Sequence, residues 1–330
     1  MNELIEVRSA EDYAGMSTEA ISPPTSDDLN WHAPDAHWAL VGDAHQLRAR
    51  CSLWWSNTSA LDSQRLGLIG HYAAADHAAA SLLLEHACAE LRSRGCNLAV
   101  GPMDGNTWRR YRVIVEGGQQ PPFFLEPDHP LDWSRHFEEQ QFTTLAHYRS
   151  ALDEDLSFQS PAVVPVEQRM ERLGVHVRCF DPENPEAELE RIFGIACQSF
   201  ASSFLYTPIE RAEFVRMYQP LIGRLRPELV LIATHEDEPV GFAFGLPDWL
   251  QAQRGETVNT LIIKSIGIVP KPTYKGLGHL MWARLYAAAS ALGYSRAIHA
   301  LMHEDYRTNA VVGDRVKTIR RYALYARRLQ

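Results

Sequence analysis

The stretch Val269-Pro-Lys-Pro-Thr-Tyr-Lys-Gly-Leu-Gly278 decides the fold of this 330-residue chain. It follows Thr260-Leu-Ile-Ile-Lys-Ser-Ile-Gly-Ile-Val269, an apolar run rich in β-branched residues that predicts a buried strand. It precedes residues 279–292, whose apolar pattern predicts a helix that ends at Gly293. A strand, a glycine-containing turn and a helix aim free backbone N–H groups at an anion, and glycine lets the chain approach that anion closely.

The overall composition is that of an ordinary globular protein, with 45% hydrophobic and 22% charged residues. A net charge of −9 disfavours nucleic acid as a partner. No apolar run approaches the roughly 18 residues of a membrane span, and the acidic N-terminus does not look like a signal peptide, so we expect no membrane partner. Five scattered cysteines without a CxxC pair predict reduced thiols, a cytoplasmic location and no zinc site. Neither His279 nor His303 has a second histidine at i+4, so we expect no metal site there either.

One order of strands and helices occurs twice along the chain. Strands predicted near residues 38–72 and a helix ending at Gly95 have counterparts near residues 229–269 and in the helix ending at Gly293. We therefore predict two copies of one fold, over residues 1–160 and 161–330. The stretch Ser160-Pro-Ala-Val-Val-Pro-Val166 is predicted to link them, and residues 10–36 are predicted to be mostly loop.

The copies differ at the turn before the helix. The first copy has His71-Tyr-Ala-Ala-Ala-Asp-His-Ala-Ala-Ala80, without a glycine pair or a lysine, so we expect it not to bind phosphates. Three of the four lysines, Lys264, Lys271 and Lys275, lie in or beside the second turn. They either cluster by chance in an arginine-rich chain or place flexible positive charges over a phosphate.

These residues resemble the GNAT superfamily of N-acetyltransferases, whose pyrophosphate loop reads Arg/Gln-x-x-Gly-x-Gly/Ala. The stretch Thr273-Tyr-Lys-Gly-Leu-Gly278 matches this motif at both glycines and departs from it at Thr273. The resemblance implies an α/β (α+β) fold of two GNAT-like domains, each with a mixed, mostly antiparallel sheet flanked by helices. The first copy would be degenerate, and Arg320-Arg-Tyr-Ala-Leu-Tyr-Ala-Arg-Arg-Leu329 would be the closing strand.

The resemblance also implies that the second domain holds acetyl-CoA (coenzyme A). The pyrophosphate would accept hydrogen bonds from five consecutive backbone amides, and a sixth amide, that of Val269, would hold the acyl carbonyl. Asn309 would lie near the cofactor thiol, with further contacts from the strand end and the turn. The residues expected to contact the cofactor are Ile268, Val269, Lys271, Thr273, Lys275, Gly276, Leu277, Gly278, His279 and Asn309.

The side chains that would move protons are less well defined. Tyr306 is predicted to protonate the leaving thiolate, and Glu304 to act as a base, through a water molecule or directly. Both also fit a solvated loop. Asp248 and Trp249 either line the acceptor site or belong to a surface loop.

The favoured function is an N-acetyltransferase that transfers an acetyl or other acyl group to a small-molecule or peptide amine. A non-catalytic acyl-CoA-binding regulatory or scaffolding protein is an alternative, because Thr273 departs from the motif and no tyrosine follows Asn309 at helical spacing. A tandem GNAT-fold aminoacyl transferase is a third, suggested by the repeat and opposed by the acidic net charge. The sequence also leaves a homodimer open.

Overall fold

One large sheet, flanked by helices, organises the chain. A computed structural model describes residues 2–157, 160–304 and 315–330. The strands are β1 (Glu3–Glu6), β2 (Ala36–Val41), β3 (Leu47–Trp54), β4 (Leu66–Ala74), β5 (Leu98–Gly101), β6 (Val113–Glu116), β7 (Thr143–Asp153), β8 (Val175–Cys179), β9 (Val230–His235), β10 (Glu238–Pro247), β11 (Thr260–Ile268), β12 (Arg296–His303) and β13 (Lys317–Arg328).

Eight α-helices, counted over the described residues, accompany these strands. They are α1 (Ser26–His32), α2 (His77–Ser93), α3 (Trp133–Glu139), α4 (Val163–Arg172), α5 (Pro185–Phe200), α6 (Arg211–Ile222), α7 (Trp249–Gln253) and α8 (Leu277–Ala291). No helix in the described part of the chain is both long enough and apolar enough to cross a membrane.

The strand order is symmetrical about the centre of the sheet. It runs β1-β2-β3-β4-β5-β13-β7-β12-β11-β10-β9-β8, with β6 paired to β13 outside this path. The pairs β4–β5 and β11–β12 are parallel, and the other pairs between described strands are antiparallel. This arrangement confirms the predicted fold class, a mixed and mostly antiparallel sheet flanked by helices.

The two halves exchange strands at the centre. Strand β13, from the C-terminal end of the chain, lies between β5 and β7 of the first half. Strand β7, from the first half, lies between β13 and β12 of the second. The β7–β13 register runs from Lys317 opposite Leu152 to Ala326 opposite Thr143. The boundary at residues 160/161 stays a prediction, and across it each half shares a strand with the other.

The central strand carries a buried polar cluster as well as apolar residues. Tyr322 donates from its hydroxyl to Glu126 and lies 3.0 Å from Ser150 Oγ. Arg320 Nε donates to Glu126 Oε1 over 2.8 Å, and both side chains are buried. Since a buried charge is stable only when it is paired and hydrogen-bonded, this cluster fixes how β13 docks onto the rest of the sheet.

Most predicted strands and helices are present, and both predicted helix ends have glycine in the left-handed region, with φ of 79° at Gly95 and 89° at Gly293. The predicted link at residues 160–166 stays a prediction, and part of it is helical, because α4 begins at Val163 and the first turn of a helix tolerates Pro165. Residues 10–36, predicted to be mostly loop, also contain the short helix α1, whose N-cap residue Thr25 accepts from the Asp28 amide.

We expect replacement of Leu324 by alanine to destabilise both halves together. Leu324 is fully buried in β13, and large-to-small core substitutions of this kind cost about 2–5 kcal/mol. Urea unfolding followed by circular dichroism should show one transition at a lower midpoint. Leu292→Ala is the matched control, since Leu292 is exposed and its loss should change the unfolding free energy by less than about 0.5 kcal/mol. Two separate transitions, with only one displaced, would contradict the shared-strand interpretation.

Candidate functional site

The sheet opens between two parallel strands of the second half. Strands β11 and β12 pair only over residues 260–263 and 296–299. Beyond them, β11 continues beside β10 as far as Ile268, while β12 continues beside β7 as far as His303. A register shift in β12 and a positive φ of 56° at Leu301 accompany the separation. A gap between two strands therefore exposes backbone groups that a sheet would otherwise pair.

Neighbouring amides at the end of β11 point in opposite directions. The Val269 N–H donates to the Val240 carbonyl over 2.9 Å and so belongs to the β10–β11 ladder. The Ile268 N–H faces the other edge, because successive N–H groups of a strand alternate, and it donates to Ser199 Oγ over 3.0 Å. The amide presented at the gap is therefore that of Ile268, which corrects the predicted role of the Val269 amide.

Helix α8 begins next to this gap without a side chain that caps its N-terminus. Gly276 is the N-cap, with φ of 88° and no side-chain hydrogen bond. In the described part of the chain, the amides of Gly276, Leu277 and Gly278 have no hydrogen-bond acceptor. The other two predicted amides are engaged, since Lys275 and His279 donate to carbonyls within the turn. Three adjacent free N–H groups at a helix start are able to donate hydrogen bonds to an anion.

The glycines of this turn meet different surroundings. A Cβ on Gly278 would lie 3.5 Å from Ile268 Cγ1, an ordinary contact that places the helix start beside the gap. A Cβ on Gly276 would lie 3.0 Å from Val166 of α4 and would also require the left-handed backbone. Gly276 is thus needed for both its φ angle and its close packing.

Helix α4 brings an arginine to the same turn. The Arg169 guanidinium donates to the Lys275 carbonyl, while Arg169 Nε is buried and has no partner among the described residues. Thr273, the position that departs from the family motif, is exposed. A residue from a different segment thus places a guanidinium at this turn, close to the exposed Thr273.

The remaining predicted side chains around the turn fall into two groups. Lys271 and Lys275 are exposed and remain flexible charges beside the helix start. Lys264 is instead engaged, because its Nζ donates to the Tyr218 hydroxyl over 2.8 Å. The His279 ring packs against Trp282, and burial lowers the pKa of His279. His279 is thus a neutral packing residue rather than a phosphate-binding cation.

The fold is shared with solved N-acetyltransferase structures. A tandem GNAT protein from the clavulanic acid biosynthesis pathway superposes with a TM-score of 0.51 at 10% identity, covering 100% of this chain and 99% of that one. A GCN5-related N-acetyltransferase from Anabaena variabilis superposes with a TM-score of 0.56 at 9% identity, covering 99% of this chain and 73% of that one. The chain has the tandem GNAT fold.

Sequence comparisons add less. No family model matches the chain. Among curated proteins, Protein YghO from Escherichia coli (strain K12) is 24% identical over 231 residues, which cover 68% of this chain. The chain spans 57% of the length of that relative. The GNAT fold is therefore supported by the structure, while the identity of the reaction is a separate question.

An aromatic surface lies on the α5–α6 side of the GNAT-fold gap. The His303 ring, at the end of β12, contacts Tyr148 and Phe204 with ring centroids 4.9 Å and 5.7 Å away. Trp108, from the first half, donates from Nε1 to the Thr207 carbonyl over 2.9 Å. Sequence reasoning considered His303 only as a metal ligand and missed its place here, although it directly precedes Glu304, the predicted base.

The predicted proton-transfer groups have mixed outcomes. Glu304 lies just past β12 and forms an ion pair with Arg321. Tyr306 and Asn309 lie outside the described residues. Asp248 is buried, accepts from the Leu250 and Phe124 amides, and follows the end of β10 that pairs with the start of β11. Asp248 therefore caps α7 near the start of β11, whereas the gap lies near the other end of β11. Asp248 does not line the gap.

The first half shows what happens when the same helix start is capped. Asp76 occupies the N-cap of α2, and its Oδ1 accepts from the Ala79 amide over 2.9 Å. Asp76 also forms an ion pair with Arg48. A carboxylate already fills the position at which α8 leaves free N–H groups, and its charge repels another anion.

The gap in the first half is filled by its own chain. Strands β4 and β5 pair only over residues 66–68 and 98–100. The Met103 amide then donates to the Ile69 carbonyl over 2.8 Å, and Asp104 Oδ1 accepts from the His71 amide over 2.6 Å. Backbone and side-chain groups of residues 103–104 therefore occupy the gap of the first half, and the absence of phosphate binding there stays a prediction.

A chain of buried hydrogen bonds crosses this filled gap. Tyr13 bonds to His37, whose Nδ1 lies 2.5 Å from Ser52 Oγ. Ser52 Oγ lies 2.8 Å from His71 Nδ1, and His71 Nε2 lies 2.7 Å from His32 Nδ1. Burial lowers the pKa of His32 to about 4 and those of His37 and His71 to about 3. All three rings are therefore neutral at pH 7.

This cluster predicts loss of stability in mild acid. The folded-state pKa values lie below the ordinary value near 6.5, so the unfolded chain binds more protons as the pH falls from about 6.5 to about 4. For His71 alone we expect a loss on the order of 2 kcal/mol between pH 7 and pH 4.5. Urea unfolding at both pH values measures it, and His71→Gln should reduce the dependence. An equal dependence in His45→Gln and His71→Gln would contradict this, because His45 is exposed.

Proposed function

We propose that this protein is an acyl-CoA-dependent N-acyltransferase that binds acetyl-CoA in its second half. The observation that carries the proposal is the uncapped start of α8 beside the gap between β11 and β12. The corresponding helix of the first half, α2, has Asp76 as its N-cap, whereas α8 has Gly276. This difference between the two helices argues for an anion site specific to α8 rather than for a property of every such turn. The likeness to solved N-acetyltransferases supports the reaction class.

The described residues fit the cofactor in two respects. The amides of Gly276, Leu277 and Gly278 are free to donate to the pyrophosphate, with Arg169 and the exposed Lys275 close by. The Ile268 amide faces the gap and would hold the acyl carbonyl after exchanging its bond to Ser199 Oγ. Bound acetyl-CoA supplies an acetyl group that is already activated as a thioester.

The acceptor would enter on the aromatic side of the gap. The half-buried rings of Phe204 and His303 lie there, with the buried Tyr148 ring against His303, and such an aromatic surface suits an amine on a small molecule or a peptide. We propose that His303 accepts a proton from the acceptor ammonium, which frees the neutral amine to attack the thioester, since histidine is the side chain that most often serves as a general base. The roles assigned from the sequence to Tyr306, Glu304 and Asn309 remain predictions.

A second candidate is an acyl-CoA-binding regulatory protein without turnover. Glu304, the carboxylate predicted as a base, is held in an ion pair with Arg321, and this contact favours the second candidate. The second candidate shares the cofactor site with the first and differs from it only in lacking acyl transfer.

The five cysteines are all free thiols, which accords with the proposed cytoplasmic location.

We expect acetyl-CoA to raise the melting temperature and Gly276→Asp to abolish that rise. The substitution places at α8 the carboxylate that Asp76 provides at α2, and its charge opposes a pyrophosphate. A ligand at 100 times its Kd stabilises the native state by about 2.7 kcal/mol, which differential scanning fluorimetry resolves.

Gly255→Asp is the matched control. Gly255 also has a positive φ, of 76°, but a Cβ there meets nothing within 4 Å. This variant adds the same charge and similar backbone strain away from the turn and should keep the full response to acetyl-CoA. If acetyl-CoA left the wild-type melting temperature unchanged, the cofactor site would be wrong.

We expect His303→Asn to lower kcat by roughly 100-fold or more while the thermal response to acetyl-CoA is unchanged. Release of free thiol, measured with a panel of amines, reports turnover. Glu304→Gln is the companion variant and should retain most activity. The reverse pattern would assign the base to Glu304, and absence of thiol release from wild type with every amine would favour the non-catalytic candidate.

A further inference from the structure

A group of metal-ligating side chains lies on the first half, away from the proposed cofactor site. One ring nitrogen each of His77 and His136 and a carboxylate oxygen of Asp132 lie within 4.8 Å of one another. His77 is the first residue of α2, Asp132 is the N-cap of α3, and His136 lies one turn into α3. Three separate structural positions thus converge on one point.

The buried member of the group has an unused nitrogen. His136 is only 2% exposed, and its Nδ1 lies 2.9 Å from the Tyr72 hydroxyl. Its Nε2 is buried and has no hydrogen-bond partner in the described structure. A buried polar atom without a partner is costly, and a bound ion would satisfy it. The bond to Tyr72 fixes the ring orientation, as outer-shell partners do for metal-bound histidines.

The other two members are similarly prepared. His77 Nδ1 is held by Glu139 Oε2 at 2.8 Å, a carboxylate–histidine pair of the kind that orients ligands at zinc sites. Asp132 is an N-cap residue whose side chain makes no capping hydrogen bond, so its carboxylate is available. Burial lowers the pKa of His136, while the nearby carboxylates of Asp132, Glu139 and Asp76 act on it in the opposite direction.

We propose that His77, Asp132 and His136 bind one divalent transition-metal ion. Two imidazoles and a carboxylate are a ligand set that suits Zn²⁺ and its neighbours Co²⁺ and Ni²⁺ rather than Ca²⁺ or Mg²⁺. The ion ties the start of α2 to α3. The sequence-based expectation of no metal site considered only cysteine pairs and the spacing around His279 and His303. It did not consider His77 together with Asp132 and His136, which lie 55 and 59 positions further along the chain.

A second group, formed by Asp28, His32 and His71, is a weaker candidate. His32 Nδ1 and His71 Nε2 are already hydrogen-bonded to each other over 2.7 Å, and His71 Nδ1 bonds to Ser52 Oγ. A metal ion there would have to break bonds that the buried network already makes. The two groups can be distinguished by substituting one member of each.

Isothermal titration of the full chain with Zn²⁺ at pH 7 tests the proposal. We expect one saturable site in the wild type and a fall in affinity of roughly tenfold or more in both His77→Asn and Asp132→Asn. Asp132 is exposed and the His77 side chain is 42% exposed, so the metal-free melting temperatures should stay close to that of the wild type. Tyr72→Phe should weaken binding roughly tenfold by releasing the His136 ring, which makes Tyr72 a positioning residue.

Two control variants should bind Zn²⁺ like the wild type. His176→Asn replaces an exposed histidine of β8, and Asp28→Asn replaces a member of the second group. Co²⁺ provides an independent readout, since its visible absorption should appear with the wild type and be lost with His77→Asn. Absence of a saturable site in the wild type would overturn the proposal. So would binding that survives both His77→Asn and Asp132→Asn, or binding that only Asp28→Asn removes.

Discussion

The antiparallel pairing of β7 with β13 is the contact on which the rest of the structure depends. Strand β13 completes the first half and β7 completes the second, so neither half closes its sheet with its own residues alone. The buried ion pair of Arg320 with Glu126 and the Tyr322 hydroxyl fix how β13 seats in this arrangement. Since the gap between β11 and β12 lies next to β7, a first-half strand also forms the support for the candidate site.

The two helix starts show how one fold hosts different chemistry. A carboxylate at Asp76 satisfies the first turn of α2 from within the chain, whereas Gly276 leaves the first turn of α8 to be satisfied from outside. The first half has also filled its gap with Met103 and Asp104 and with a hydrogen-bonded series of histidines. Groups of the chain itself fill the gap of the first half, whereas the corresponding helix start of the second half keeps free N–H groups.

The sequence predicted the features that depend on local pattern. Alternating and continuous apolar runs located most strands, and Gly95, Gly276 and Gly293 marked positions where the backbone has a positive φ. It could not show which N–H of Ile268 and Val269 faces the gap, because that depends on the register with β10. Contacts between distant segments were also missed, including Arg169 at the turn and Trp108 beside the α5–α6 connection.

The exchange of strands also sets an order of events during synthesis. Residues up to Asp153 are synthesised before residues 317–328, yet only the latter fill the place between β5 and β7. Until then, the nascent first half carries unpaired strand edges, which are prone to unwanted pairing. Contacts between residues so far apart in sequence form slowly, so correct assembly depends on keeping those edges covered until the last strand arrives.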